Sequence, residues 1–197
     1  MAEASPILDW INLPPGAKTI QLWECLHDGD LLKITSDRLK RTVNLEIDVP
    51  YLREFHGLPD TLSFSLMFHN VQSARVSMSV VWPGEFSVPA GAPREEQLEL
   101  VAQYHSKWRE ESISWTDFEA EVASGIDAEI SDAFLAHGQA GQVAMKLGLL
   151  MGDGSYTEAL TRAEALEVLR SDDEPFSIEA FLSLGEAYWK AFSERRV

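Results

Sequence analysis

The chain has 197 residues, of which 45% are hydrophobic, so a folded protein with its own core is expected and disorder is not. Its formal net charge is −16, and such a field repels phosphate backbones and anionic lipid, which argues against nucleic-acid and membrane binding. The single cysteine, Cys25, excludes an intrachain disulfide framework and favours a reducing compartment.

The N-terminal residues lack the basic and apolar regions of a signal peptide. No apolar run approaches the roughly 18 residues that a membrane span needs. We therefore expect a cytoplasmic protein.

Alternation of apolar and polar residues predicts five β-strands before residue 82. In the clearest strand, Val43, Leu45 and Ile47 share one face. The last two strands, at 62–69 and 74–81, are joined by four residues, which predicts that they pair as a hairpin. No internal repeat is apparent.

Two short segments interrupt the strands with helix and turn signals. Pro50, followed by Gly57 and Pro59, has the start-and-stop pattern of a short helix. Residues 83–93 hold three prolines and two glycines and mark a break between two regions.

Beyond the break, apolar residues recur at helical spacing. A capping box at Thr116 and Glu119 opens one helix, and Ser177 caps the last one. Further helices are predicted within 94–111, 126–137, 140–151 and 157–169.

These patterns predict an α+β fold with one shared core. A β-rich region at 1–82 supplies an antiparallel sheet of about five strands, followed by a Pro/Gly connection at 83–93. An acidic α-helical region at 94–197 is expected to pack on or beside the sheet.

The negative charge is concentrated in the second region. Residues 1–93 carry 7 Lys/Arg and 11 Asp/Glu, a net charge of −4, whereas residues 94–197 carry 9 and 21, a net charge of −12. Such a surface favours a basic protein partner. The candidate partner-binding residues are the short acidic runs Glu110, Glu111, Asp172, Asp173 and Glu174.

No motif for catalysis, metal binding or nucleotide binding stands out, so no cofactor and no metal are expected. The densest chemistry lies at 25–30, where Cys25, His27 and Asp28 combine a thiol, an imidazole and a carboxylate. A strand would point Cys25 and His27 to the same side, as nucleophilic catalysis needs. A structural cysteine beside a turn is the alternative interpretation.

Part of the first region carries a recurrent pattern. Its segments are Leu26-His27-Asp28, then Thr42-Val43-Asn44-Leu45-Glu46-Ile47, then Leu66-Met67-Phe68-His69-Asn70-Val71. The pattern resembles several small bacterial families of uncharacterised β-rich proteins, some associated with toxin–immunity loci. It covers under a third of the chain. The resemblance implies a β-rich domain with a protein-binding role and implies no functional residue.

The leading hypothesis is a non-enzymatic, immunity-like protein whose acidic surface binds a basic partner. The alternatives are an enzyme whose site is assembled from scattered residues and a module that binds a small ligand. Nothing in the pattern indicates the oligomeric state.

Overall fold

The structure, a computed structural model, describes residues 18–79, 93–94, 110–138, 142–172 and 176–194. In these ranges the chain forms ten strands of one antiparallel sheet and four helices. The strands are β1 (Lys18–Gln21), β2 (Asp30–Asp37), β3 (Thr42–Asp48), β4 (Phe64–His69), β5 (Ser73–Ser79), β6 (Glu110–Ile113), β7 (Ala128–His137), β8 (Val143–Met151), β9 (Tyr156–Ala163) and β10 (Ala165–Arg170). The helices are α1 (Trp23–Leu26), α2 (Pro50–His56), α3 (Trp115–Ala123) and α4 (Ile178–Ser193).

The predicted arrangement of an N-terminal sheet followed by a helical half is wrong. The described parts of the segments 126–137, 140–151 and 157–169 belong to strands β7 to β10, so the described part of the region 94–197 is a mixture of strands and helices and not an α-helical half. Of the helix predicted within 94–111, residues 110–111 belong to β6 and 95–109 lie outside the described residues, as does the connection at 83–92.

The reason for this error is visible in β8. Val143, Leu147 and Leu150 have helical spacing, but every second residue of Val143–Met151 is apolar and buried. Apolar positions two apart also produce pairs four apart, so the sequence fits both periods. Pairing with β7 on one side and β9 on the other selects the strand.

The predicted hairpin between β4 and β5 is also wrong. Strand β4 pairs with β3 and β10, and β5 pairs with β6 and β9. The link between them does not reverse the chain, because Val71 N donates to Arg41 O at 2.8 Å and Gln72 N donates to Arg162 O at 2.8 Å. The link thus continues the sheet around a bend.

The strands β9 and β10 form the same kind of bent unit, with only Glu164 between them. Strand β4 pairs with β10 and β5 pairs with β9, so two long bent strands run side by side along their whole length. On its other edge, the first part of each long strand pairs with the strand that precedes it in sequence, β4 with β3 and β9 with β8.

Apart from helix α2, which lies between β3 and β4, the two halves of the chain repeat one order of elements: a short strand, a short helix, two strands and a long bent strand. The register shift between Leu31 and Lys33 recurs 99 residues later between Ile130 and Asp132. Asp30 pairs with Glu129, also 99 residues away, as a two-fold relation between the halves requires. The clearest trace of the repeat in the sequence is the similarity between residues 28–31 and residues 127–130.

One cluster of buried apolar residues joins both halves. Among its largest members, Phe64 and Phe68 come from the first half, and Phe118 and Phe181 come from helices of the second. The core thus lies inside the curved sheet and is closed by helices.

The two predicted helices Pro50–His56 and Ile178–Ser193 are confirmed. Gly57 ends α2 in the left-handed conformation, with φ of 60°, and Ser177 caps α4 by accepting from Ala180 N at 3.1 Å. Helix α3 begins two residues earlier than the capping box suggested, at a cap made by Ser114.

Candidate functional site

Helices α1, α2 and α4 meet at one end of the sheet and enclose a cleft of about 300 Å³. We call it the aromatic cleft. It is lined by His27, Asp28, Pro50, Tyr51, Glu54, Tyr188 and Trp189. Three separate parts of the sequence supply these residues, so only the folded chain brings them together.

Two polar groups in the aromatic cleft are tied to one backbone oxygen. Trp189 Nε1 donates to Glu24 O at 2.7 Å, and the Tyr51 hydroxyl donates to the same oxygen at 3.0 Å. Burial raises the pKa of Tyr51, so its hydroxyl keeps the proton it donates. Both rings are thereby held in place with their only hydrogen-bond donors already used.

The rings that line the aromatic cleft contact one another and the neighbouring Trp23. Trp23 and Trp189 stack with centroids 5.4 Å apart and planes 18° apart, and Tyr51 lies 4.5 Å from Tyr188. His27 meets the Trp23 ring edge-on at 4.4 Å. Such contacts leave rings with a negative face and fixed orientation.

Carboxylates stand at the rim of the aromatic cleft. His27 Nδ1 lies 2.8 Å from Asp28 Oδ2, and because a carboxylate only accepts, that nitrogen carries the hydrogen. Glu54 is exposed, and among the described residues it forms no ion pair with Lys or Arg. Negative charge therefore borders the aromatic surface.

Helix α2 is anchored at two positions, its middle and its C-terminal end. Arg53, which is buried, makes a two-point ion pair with Asp48 at the end of β3, with Nε–Oδ1 at 2.6 Å and Nη2–Oδ2 at 2.9 Å. This hydrogen bonding raises the pKa of Arg53. His56 Nε2 lies 3.0 Å from Leu184 O of α4. These contacts set the position of Tyr51 and Glu54.

The structure separates Cys25 from the chemistry that the sequence suggested. Residues 23–26 are helical, not extended, so Cys25 and His27 do not share a face. The Cys25 side chain is buried and its Sγ lies 3.4 Å from Phe181 O. Burial raises the pKa of Cys25 to about 12, so the thiol stays protonated and is unsuited to nucleophilic attack.

In the part of the chain that the structure describes, the acidic residues singled out from the sequence lie on separate elements. Glu110 and Glu111 lie on β6, opposite Ser79 and Met78 at the end of β5. Asp172 follows the other end of the long paired strands and forms an ion pair with Arg170. Asp173 and Glu174 lie outside the described residues. Partner binding at these positions stays a prediction.

Sequence reasoning missed most of the aromatic cleft. It singled out His27 and Asp28 but no site residue on α2 or α4, although Trp189 of α4 is only half-buried and lines the cleft. The available signal was the run of aromatic residues at 188–192 on a helix with an exposed face, where Phe192 is 54% exposed. A wide apolar stripe of this kind also fits core packing.

A second cavity, of about 330 Å³, lies between residues 36–43, residues 71–74 and Trp115. Its two guanidinium groups are already engaged. Arg41 Nη2 donates to Val71 O at 3.1 Å, and Arg38 Nη2 donates to Thr116 Oγ1 at 3.2 Å. The aromatic cleft is therefore the better candidate site.

Within the described ranges, no three His, Cys, Asp or Glu side chains are grouped so that they could hold a metal ion. No helix in the same ranges combines the length and apolar character needed to cross a bilayer. No protein-family model, curated protein or solved structure matches the chain.

Proposed function

We propose that this chain is a non-enzymatic cytoplasmic binding protein whose acidic surface engages a basic protein, with immunity-type inhibition of a toxin as one case. The observation that carries the proposal is the aromatic cleft, in which π faces stand beside Asp28 and Glu54. Aromatic rings and carboxylates both attract cations.

The charge of the whole chain supports the same partner. At −16 the protein attracts a basic protein from a distance and speeds the encounter. Salt screens such attraction, with a Debye length of about 10 Å at 0.1 M. Binding that depends on this field must therefore weaken as salt rises.

The chemistry of the site favours binding over catalysis. The thiol at Cys25 is buried and protonated, and two donors at the cleft, on Tyr51 and Trp189, are used internally. The other cleft groups include aromatic rings, the Tyr188 hydroxyl and carboxylates, of which the rings and carboxylates suit recognition of a cationic side chain.

Affinity capture from the extract of the source cells tests the proposal. Tagged wild-type protein is used at low and high salt, next to Glu54→Lys and a matched control, Glu167→Lys, which makes the same charge change on β10. We expect one stoichiometric basic protein that is lost at high salt and lost with Glu54→Lys but kept with Glu167→Lys. Capture of no basic protein at low salt would overturn the proposal.

A further inference from the structure

We infer that the aromatic cleft receives a single guanidinium group, supplied by an exposed arginine of the basic partner. This inference rests on the proposed function and names the chemical group that the site selects. It follows from the size of the aromatic cleft, from the internal use of two of its donors and from the carboxylates at its rim.

The aromatic cleft has the size needed for the charged end of one side chain. Its volume of about 300 Å³ is at the lower end of the range for ligand pockets, roughly 300–1,000 Å³. The side chains of Tyr51, Tyr188 and Trp189 form much of its surface. A flat cation can stack against such rings, whereas a nucleotide or a large cofactor would not be enclosed.

The hydrogen-bonding groups of the cleft exclude anions and favour donors. Two of the three aromatic donors, the Tyr51 hydroxyl and Trp189 Nε1, already point at Glu24 O, and the third is the Tyr188 hydroxyl. Asp28 and Glu54 can only accept when ionised. A ligand that brings N–H groups and a positive charge therefore matches the two carboxylates.

Guanidinium fits these acceptors better than ammonium does. Its five N–H donors lie in one plane, so the group can make two parallel bonds to a carboxylate while its face stacks on an aromatic ring. It is also less strongly hydrated than an ammonium group and loses less on entering an apolar cleft. Among the described residues, no Lys or Arg already occupies the Glu54 carboxylate.

The break in the internal repeat points to the same place. Helix α2 supplies Pro50, Tyr51 and Glu54, and it lies between β3 and β4. At the corresponding position of the second half, β8 passes to β9 through residues 152–155 without a helix. One of the departures from the repeat, helix α2, therefore helps to form the aromatic cleft.

The test uses three small probes with different head groups: the N-acetyl methylamides of arginine, lysine and citrulline. Citrulline has the shape of arginine without its charge. Binding to the full chain is followed by tryptophan fluorescence and by the NMR signal of the Trp189 Nε1–H, assigned with Trp189→Phe. We expect a Kd on the order of 1–10 mM for arginine, about fivefold weaker binding for lysine and no shift with citrulline.

Two variants locate the binding. Glu54→Gln keeps the size of the side chain and is expected to weaken arginine binding roughly fivefold, because the two charge-assisted bonds are lost. Glu167→Gln on β10 is the matched control and is expected to leave arginine binding unchanged. Equal binding of citrulline and arginine, or an unchanged Kd in Glu54→Gln, would overturn the inference.

The outcomes separate this inference from the proposed function. If the arginine probe does not bind but a basic protein is still captured in a salt-sensitive way, the inference fails and the function stands. If the arginine probe binds at Trp189 but no basic protein is captured, the guanidinium site stands and the protein-binding function fails.

Discussion

Gly185 of α4 lies so close to α1 that a β-carbon on it would stand 2.6 Å from Cys25 Sγ. It would also stand 2.7 Å from Glu24 O, the oxygen that accepts from Tyr51 and Trp189. The close approach of the two helices therefore sets the distance across the aromatic cleft. Any side chain at this position must move either α4 or the backbone of α1.

Gly185→Ala is expected to destabilise the protein by about 1–3 kcal/mol, in the way that overpacking a core does. The helix propensity of alanine is more favourable than that of glycine by roughly 1 kcal/mol. A net loss of stability would therefore come from the close contact with α1 and not from helix propensity. Urea unfolding followed by circular dichroism measures it. Ser183→Ala, at an exposed position of the same helix, serves as the control and is expected to change stability by under about 0.5 kcal/mol. A stability gain in Gly185→Ala would contradict the contact.

Cys25 is expected to resist thiol reagents until the protein unfolds. Its folded pKa of about 12 lies above the unfolded value of about 8.5. The contribution of the Cys25 thiol to the free energy of unfolding is therefore fully present below about pH 8.5. It falls as the pH rises toward 12, because only the thiol of the unfolded chain ionises in that window.

Denaturation between pH 8 and pH 10 checks this prediction. The slope should approach about 1.4 kcal/mol per pH unit and should shrink in Cys25→Ala. Equal slopes for the two proteins, or rapid labelling of the native thiol, would show that Cys25 is less buried than the structure indicates.

Removing one partner of the ion pair between Arg53 and Asp48 should destabilise the protein more than removing both. Arg53→Met is expected to cost about 3 kcal/mol, because Asp48 is left without its partner beside the core. The double variant Arg53→Met with Asp48→Leu should recover part of that loss. Stability of the four proteins in a double-mutant cycle measures the coupling. Additive losses would mean that the pair does not hold α2.

Asp30 and Glu129 place two carboxylates directly opposite each other where β2 meets β7. Burial, reinforced by the charges of Asp48, Glu129 and Asp127, raises the pKa of Asp30. The contribution of Asp30 to the free energy of unfolding is thus greatest at acidic pH. It falls as the pH rises through the pKa of Asp30 in the folded protein.

Asp30→Asn should therefore stabilise the protein at pH 7, by a few tenths to about 1 kcal/mol, as expected when a like-charge cross-strand pair is relieved. The gain should shrink on acidification toward pH 4. Thermal unfolding at both pH values measures it, and Asp37→Asn at the far end of β2 is a same-charge comparison. A gain that grows as pH falls would contradict the prediction.

The strands of the first half were predictable because their alternation is unambiguous, as in Val43, Leu45 and Ile47. The second half was not, because β9 buries small residues such as Ala159 and Thr161, whose pattern carries little hydrophobic contrast. Its strands are defined by partners far away in sequence, and single-sequence periodicity does not contain that information.

The aromatic cleft could be predicted only in part. His27 and Asp28 were singled out, but for a partnership with Cys25 that the helical turn at 23–26 prevents. Tyr51 and Trp189 are 138 residues apart and meet through one hydrogen-bonded carbonyl, Glu24 O. No local sequence pattern in either segment indicates this contact.

The pairing of the two long bent strands has a consequence for biosynthesis. Strand β4 leaves the ribosome roughly 100 residues before its partner β10, which at 5–20 residues per second is a delay of roughly 5–20 s. During that time the first half exposes an unpaired apolar edge, and pairings this distant in sequence also form slowly. The newly made chain should therefore be most prone to aggregation before translation is complete, and this is when a chaperone would protect it.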